Sequence, residues 1–226
     1  MHDVGQMGGL VEALLPTTKH RRGRRTARQE RALADPGAAL ISLNDLAGHP
    51  VVTGSTPLVL DIGFGAGEAI MAMSSADPDT DILAVDMHTP GIGDLLASIS
   101  EADITNVYVV NGDVRHLLDS LPDERLSGVR TFFPDPWPKK RHHRRRLINE
   151  TFAEALSRTV RVNGFWHIAT DWGEYADVID AALAHRGAWR GGRIPRPDCR
   201  PQTRYERRGL AGGRSPIDLW FERVAP

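Results

Sequence analysis

Between residues 58 and 222, short apolar runs alternate with stretches whose apolar side chains recur every three or four positions. Leu58–Ile62, Ile82–Asp86, Val107–Val110, Val129–Phe133, Phe165–Ala169 and Ile217–Glu222 have the length and content of strands buried on both faces. The segments between them carry helical spacing: Ile70, Met71 and Met73; then Ile92, Leu95, Leu96 and Ile99 after Pro90; then Leu117, Leu118 and Leu121. Further on, a helix from about Arg146 carries Ile148, Phe152, Leu156 and Val160, and another carries Tyr175, Val178, Ile179 and Leu183. Strands alternating with helices at this distance predict an α/β fold with a parallel, doubly wound sheet. Upstream, Thr26 is placed to cap a short helix through Leu33, before the turn Asp35-Pro36-Gly37. Residues 1 to about 25 lack periodicity and read as a mobile arm, and 36–56 as a connector. The chain thus divides into a basic arm with a short helix, 1–35, and one domain, 36–226.

Composition narrows the classes. An apolar content of 41% in 226 residues supports a real core. No run approaches the ~20 apolar residues of a membrane span, and no signal peptide opens the chain. The single Cys199 fits a reducing, cytoplasmic setting, and neither the nine His nor that Cys shows ligand spacing, so no metal is expected. Net charge is −1, yet residues 32–114 hold twelve Asp or Glu and no Lys or Arg. The cations gather in three places: seven in 19–31, six in 139–146 and eight Arg in 186–208. Such segregation predicts a face that meets phosphates.

One stretch concentrates the chemistry. After the strand ending at Phe133, three prolines in five positions (Pro134, Pro136, Pro138) forbid regular structure and hold Asp135 and Trp137 in a stiff loop. Asp61, Asp86, Asp113 and Asp135 all fall at or just after successive strand ends, where open α/β sheets bind ligands. The glycines read Asp61-x-Gly63-x-Gly65-x-Gly67, tighter than the dinucleotide fingerprint G-x-G-x-x-G and preceded by an acid. An acid there repels a pyrophosphate and suits a cationic ligand. Asp86, 21 residues after Gly65, stands where a ribose diol is gripped. A nucleoside with a positive centre and no phosphate is S-adenosyl-L-methionine.

These residues resemble the bacterial tRNA (guanine-N7-)-methyltransferases, within the class I S-adenosylmethionine-dependent fold. The carriers are Asp61-Ile62-Gly63-Phe64-Gly65-Ala66-Gly67, Asp86-Met87-His88-Thr89-Pro90-Gly91-Ile92-Gly93, and Phe133-Pro134-Asp135-Pro136-Trp137-Pro138-Lys139-Lys140-Arg141-His142. Ala169-Thr170-Asp171-Trp172 and Thr203-Arg204-Tyr205-Glu206 match as well. The resemblance implies a seven-stranded, mostly parallel sheet and a methyltransferase domain over 36–226. It implies cofactor binding by Asp61, Gly63, Gly65, Gly67, Asp86, Asp113 and Asp135, with Asp135 also the active-site acid. Lys139, Asp171, Thr203, Arg204, Tyr205 and Glu206 become substrate positions. Arg141, His142, His143, Arg144, Arg145 and Arg146 become an RNA-contacting run. The partner is tRNA, methylated at N7 of a variable-loop guanine by a monomer or homodimer. Asp61 stands where the family usually has Glu, Pro138 replaces its usual His, and residues 23–29 keep its N-terminal motif only in part. Trp137 is a candidate stacking platform for the base. The rival readings are a non-catalytic RNA-binding protein on the same scaffold, an NAD-dependent oxidoreductase, and a methyltransferase of small molecules. The intact acids oppose the first, the glycine spacing with Asp61 the second, and the basic clusters the third.

Overall fold

The computed structural model describes residues 24–183 and 187–225. The first basic cluster at Lys19, Arg21 and Arg22, with most of the expected arm, lies outside the described residues, as does Arg186. In chain order the elements are α1 (Ala27–Ala34), β1 (Leu40–Ile41), α2 (Leu43–Leu46), α3 (Pro50–Thr53), β2 (Leu58–Ile62) and α4 (Glu68–Ala76). Then follow β3 (Asp81–Asp86), α5 (Thr89–Glu101), β4 (Val107–Asn111), α6 (Val114–Asp119), β5 (Leu126–Phe132) and α7 (Glu150–Thr159). The chain ends with β6 (Val160–Thr170), α8 (Gly173–Leu183), β7 (Trp189–Ile194), α9 (Arg204–Ala211) and β8 (Ile217–Arg223).

The sheet has eight strands in the order β1-β4-β3-β2-β5-β6-β8-β7, parallel except where β8 runs against β6 and β7. The expected count of seven is therefore one short. The extra strand, β1, is two residues long and pairs with β4 at the edge, too brief to leave a period in the sequence. Strand β7 was also invisible to the apolar pattern, because Arg190, Gly191, Gly192 and Arg193 interrupt it.

Alternation along the strands divides the core. On β2, Leu58, Leu60 and Ile62 join the layer that Val114, Phe152, Leu156 and Ile179 supply from α6, α7 and α8. On the other face, Ile82 and Ala84 meet Ile70, Ile92 and Leu95 of α4 and α5. Each fully buried Leu or Ile contributes roughly 1.5–3 kcal/mol. Helix α1 forms as its capping signals require: Thr26 accepts from Gln29 N–H and Gln29 answers onto the Thr26 N–H. It then docks on α5 through Arg28, which pairs with Asp94 and Glu101. No helix among the described residues is long and apolar enough to cross a membrane.

Successive connections leave β2 toward β3 and β4, then return across it to β5 and β6. The strand order thus reverses between β2 and β5, and a crevice opens beyond their carboxyl ends.

Candidate active site

Four strand ends converge on that crevice. Its lining includes Gly63, Asp86, Asp113, Phe133, Asp135 and Trp137. Asp86 ends β3 and is built into the glycine turn: Oδ2 accepts from Gly65 N–H at 3.1 Å and Oδ1 from His88 N–H at 2.8 Å. Burial raises its pKa against the pull of those donors. Asp113 caps α6, with Oδ1 accepting from the Arg115 N–H at 3.0 Å and Arg115 Nε at 2.9 Å. Arg115 Nη2 closes onto the other oxygen. Burial pushes the Asp113 carboxyl up, but the Arg115 hydrogen bonds outweigh it and hold the pKa below the usual range.

Asp61 lies deeper and does not reach the crevice lining. It is 3% exposed, and its Oδ2 has no hydrogen-bond partner. Burial pushes its carboxyl up to about 7; Arg130, opposite it on β5, pulls the other way, and Asp86 reinforces the rise. Next to it the turn takes left-handed backbone at Gly63, Gly65 and Gly67 (φ 74°, 61° and 81°). A Cβ at 63 or 65 would meet nothing within 4 Å, so the turn faces open space. Gly91 serves a different end. A Cβ there would stand 2.0 Å from the Gly65 carbonyl, so its absence lets α5 press against the turn. An enclosed, unpartnered carboxylate beside an open glycine cradle and a strand-end acid fits a cationic nucleoside.

The proline loop supplies the opposite wall. Phe133 and Trp137 both adopt positive φ (54° and 43°), a strain of ~1–3 kcal/mol each that the surroundings must hold. Phe133 is pinned by its N–H to the Ala169 carbonyl at 2.7 Å and by its ring against Tyr205, centroids 5.1 Å apart. Trp137 carries the Arg145 guanidinium 5.0 Å over its ring and meets His142 edge-on. Between the two strained residues Asp135 is exposed, and among the described residues no ion pair or hydrogen bond engages its carboxylate.

Comparison with known proteins fits this geometry. A profile described as "Putative methyltransferase" matches residues 55–219. The tRNA (guanine-N(7)-)-methyltransferase of Streptomyces avermitilis is 44% identical over 97% of this chain and 79% of its own. The protein of that name from Halorhodospira halophila is 41% identical over 93% of this chain and 95% of its own. The chain belongs to the tRNA (guanine-N(7)-)-methyltransferase family. Its fold is that of solved methyltransferases as well. An rRNA methylase from Streptococcus thermophilus superimposes with a TM-score of 0.52 at 14% identity, over 81% of this chain and 94% of that one. TrmN from Thermus thermophilus gives 0.53 at 15% identity, over 80% of this chain and 48% of that one.

The residues expected on the substrate side lie outside the lining of this crevice and make other contacts. Asp171 follows β6 with a side chain 10% exposed; its Oδ2 stands 2.8 Å from Arg214 Nε without hydrogen-bond alignment. Thr203 caps α9 through Glu206 N–H at 3.3 Å, and Tyr205 is half exposed on Phe133. Lys139 is exposed at the start of a 3₁₀ turn over Lys140–Arg145. Arg204 is engaged by Glu68, the first residue of α4 after the glycine turn, whose carboxylate takes its Nε at 2.9 Å and its backbone N–H at 2.5 Å. Glu206 turns inward, 2% exposed, onto Arg200 and Arg196. Sequence reasoning missed Glu68, Arg130 and Arg200. It also missed α9 as a helix, although Thr203-x-x-Glu206 is a capping-box spacing.

The basic run divides in two. Lys139, Lys140, Arg141 and Arg144 face solvent, and His142 and His143 are half-buried. Arg146 is 4% exposed: Nε donates to the Pro136 carbonyl at 2.8 Å, Nη1 to Glu174 at 3.0 Å, and its face covers Tyr175 at 4.7 Å. That anchorage explains why α7 starts at Glu150, capped by Asn149, and not near Arg146 as its apolar period suggests. Arg146 is therefore a strut of the proline loop. Arg146→Ala is expected to lower stability by ~2–4 kcal/mol, since Glu174 and the Pro136 carbonyl lose their donor. Urea unfolding measures this; an unchanged midpoint would contradict it. The third cluster is internally paired too, with Arg193 on Asp177 and Arg196 on Glu206, so less of it faces a polyanion than its charge count suggests.

Proposed function

We propose that the protein transfers the methyl group of S-adenosyl-L-methionine to N7 of a variable-loop guanine in tRNA. The observation that carries this reading is the placement of Asp135. It stands on one crevice with Asp86 and Asp113, directly before a turn that shows four cations to solvent. Asp86 and Asp113, with the Gly63–Gly67 turn, would hold the nucleoside, and the enclosed Asp61 would act on its charged end through the field behind the turn and not by contact. When bound, the cofactor supplies an electrophilic methyl on a sulfonium centre. Guanine N7 offers a lone pair and no proton, so the protein needs no general base. Its tasks are orientation of the base and stabilisation of the positive charge that reaches the purine. Asp135, rigid and unpaired, is placed for both. Trp137 lines the crevice and Tyr205 packs on Phe133 beside it as aromatic surfaces, and Asp171 and Thr203 would take up the substrate. Extruding a base from its stack costs a few kcal/mol, which phosphate contacts by the exposed cations offset.

The test is methyl transfer from labelled cofactor to unmodified tRNA, followed by nuclease digestion. The expected product is 7-methylguanosine, lost when the variable-loop guanine is replaced. A labelled nucleoside of any other kind would reject the assignment.

Phosphate binding is tested separately. Replacing Lys139, Lys140, Arg141 and Arg144 together by Ala should flatten the slope of log affinity against log salt by roughly 3–4, because each phosphate contact contributes ~0.7–0.9. Arg146 stays in place, so the proline loop keeps its strut. An unaltered slope would make these cations a solvated face with no part in tRNA binding.

A further inference from the structure

Behind Phe133 lies a charge cluster that the reaction as described does not use. Arg200, 2% exposed, holds two carboxylates from different elements. Nη1 and Nη2 donate to Glu206 of α9 at 2.8 and 3.0 Å, and Nη2 also donates to Asp218 of β8 at 3.0 Å. Nε stands 2.7 Å from the other Asp218 oxygen, which accepts from His167 Nε2 of β6 at 2.8 Å. Arg196 completes the cluster, giving Nη1 to Glu206 at 3.1 Å and Nη2 to the Arg200 carbonyl at 2.8 Å. The Arg200 guanidinium also stands 5.9 and 5.7 Å from the rings of Phe132 and Phe133.

We infer that Arg200 is a positioning residue for the methyl transfer proposed above. It locks α9, which carries Tyr205 and is capped by Thr203, to the strained tip of β5 from which Asp135 projects. The inference rests on that functional reading.

Three physical points support it. A buried ion cluster adds little net stability over apolar side chains of the same volume, whereas a guanidinium fork fixes direction. Phe133 keeps its left-handed backbone only while its neighbours over-determine it, and Arg200 and Tyr205 are two of them. Glu206, enclosed on Arg200 and Arg196, is placed to act on substrate geometry through Arg200 and not by touching the substrate.

Two variants test the inference in the full chain. Arg200→Lys keeps the charge and loses the fork. The triple variant Arg200→Met, Glu206→Gln, Asp218→Asn removes the three enclosed charges together and leaves Arg196, whose side chain is 35% exposed, to be solvated. Amide exchange, cofactor affinity by calorimetry and single-turnover transfer are measured beside wild type. Both variants should bind cofactor within about threefold of wild type. The Phe133 amide and those of α9 should exchange at least tenfold faster, with β2 and β3 unchanged, and transfer should slow at least tenfold. If Arg200→Lys does not fold, the triple variant decides. Wild-type exchange at Phe133 and α9, wild-type turnover despite faster exchange, or faster exchange spread over β2 and β3 would each overturn the inference. If wild type itself methylates no tRNA, the functional reading falls, and the exchange data still decide whether Arg200 locks the two elements.

Discussion

Single-turnover methyl transfer is expected to fall by at least ~10²-fold in Asp135→Asn, the loss typical of removing one electrostatic stabiliser. The substitution preserves shape and one acceptor oxygen and removes only the charge. Pro134 and Pro136 on either side, with the strained Phe133 and Trp137, keep the loop in place, so tRNA and cofactor affinities should change little. An interaction that strengthens as charge reaches the purine accelerates the step, whereas one equally strong beforehand does not. Because N7 has no proton to lose, the wild-type single-turnover rate at saturating cofactor should also show no limb from a general base; titration of Asp61, pushed up to about 7, would enter through cofactor affinity instead. A near-normal rate in the Asn variant would reduce Asp135 to a turn residue and remove the mechanism with it.

Asp86→Ala should weaken S-adenosyl-L-methionine binding by ~1.5–3 kcal/mol, about ten- to 150-fold in Kd, through lost charged-acceptor hydrogen bonds. In this structure the carboxylate has a second task, since it also accepts from the Gly65 and His88 amides. The Ala variant therefore loosens the glycine turn as well as losing ligand contacts. Asp86→Asn, which keeps an acceptor for one of those amides, should lose less. Calorimetry on the RNA-free protein reads both. Unchanged affinity in the Ala variant would take Asp86 out of the cofactor site.

What could be read directly from the chain was whatever local physics decides. Buried parallel strands are continuous apolar runs, so β2 to β6 and β8 were visible as such, and with them the alternation that makes the sheet doubly wound. Prolines act on their own backbone and that of the preceding residue, so the irregular loop around Asp135 needed no tertiary information. Acids at strand ends follow from strand position, and Asp86, Asp113 and Asp135 do share one crevice.

Long-range pairing decided the rest. Strand β7 exists because β8 offers it an antiparallel edge, although its own Gly and Arg residues argue against a strand. Composition treats every Arg alike, yet partners on other elements sort them: Glu174 draws Arg146 inward from a run that looked uniformly exposed, and Asp218 and Glu206 enclose Arg200. Glu206, expected at a substrate position, became an internal anchor in the same way. Asp61 opens the glycine motif, but only the stacking of β2 beside β5 seals its carboxylate next to Arg130. A side chain's charge is a property of the sequence. Whether that charge faces solvent, a ligand or another charge depends on which strands and helices pack against it, and in this protein those partners sit on other elements, 6 residues away for Arg200 and Glu206 and 28 for Arg146 and Glu174.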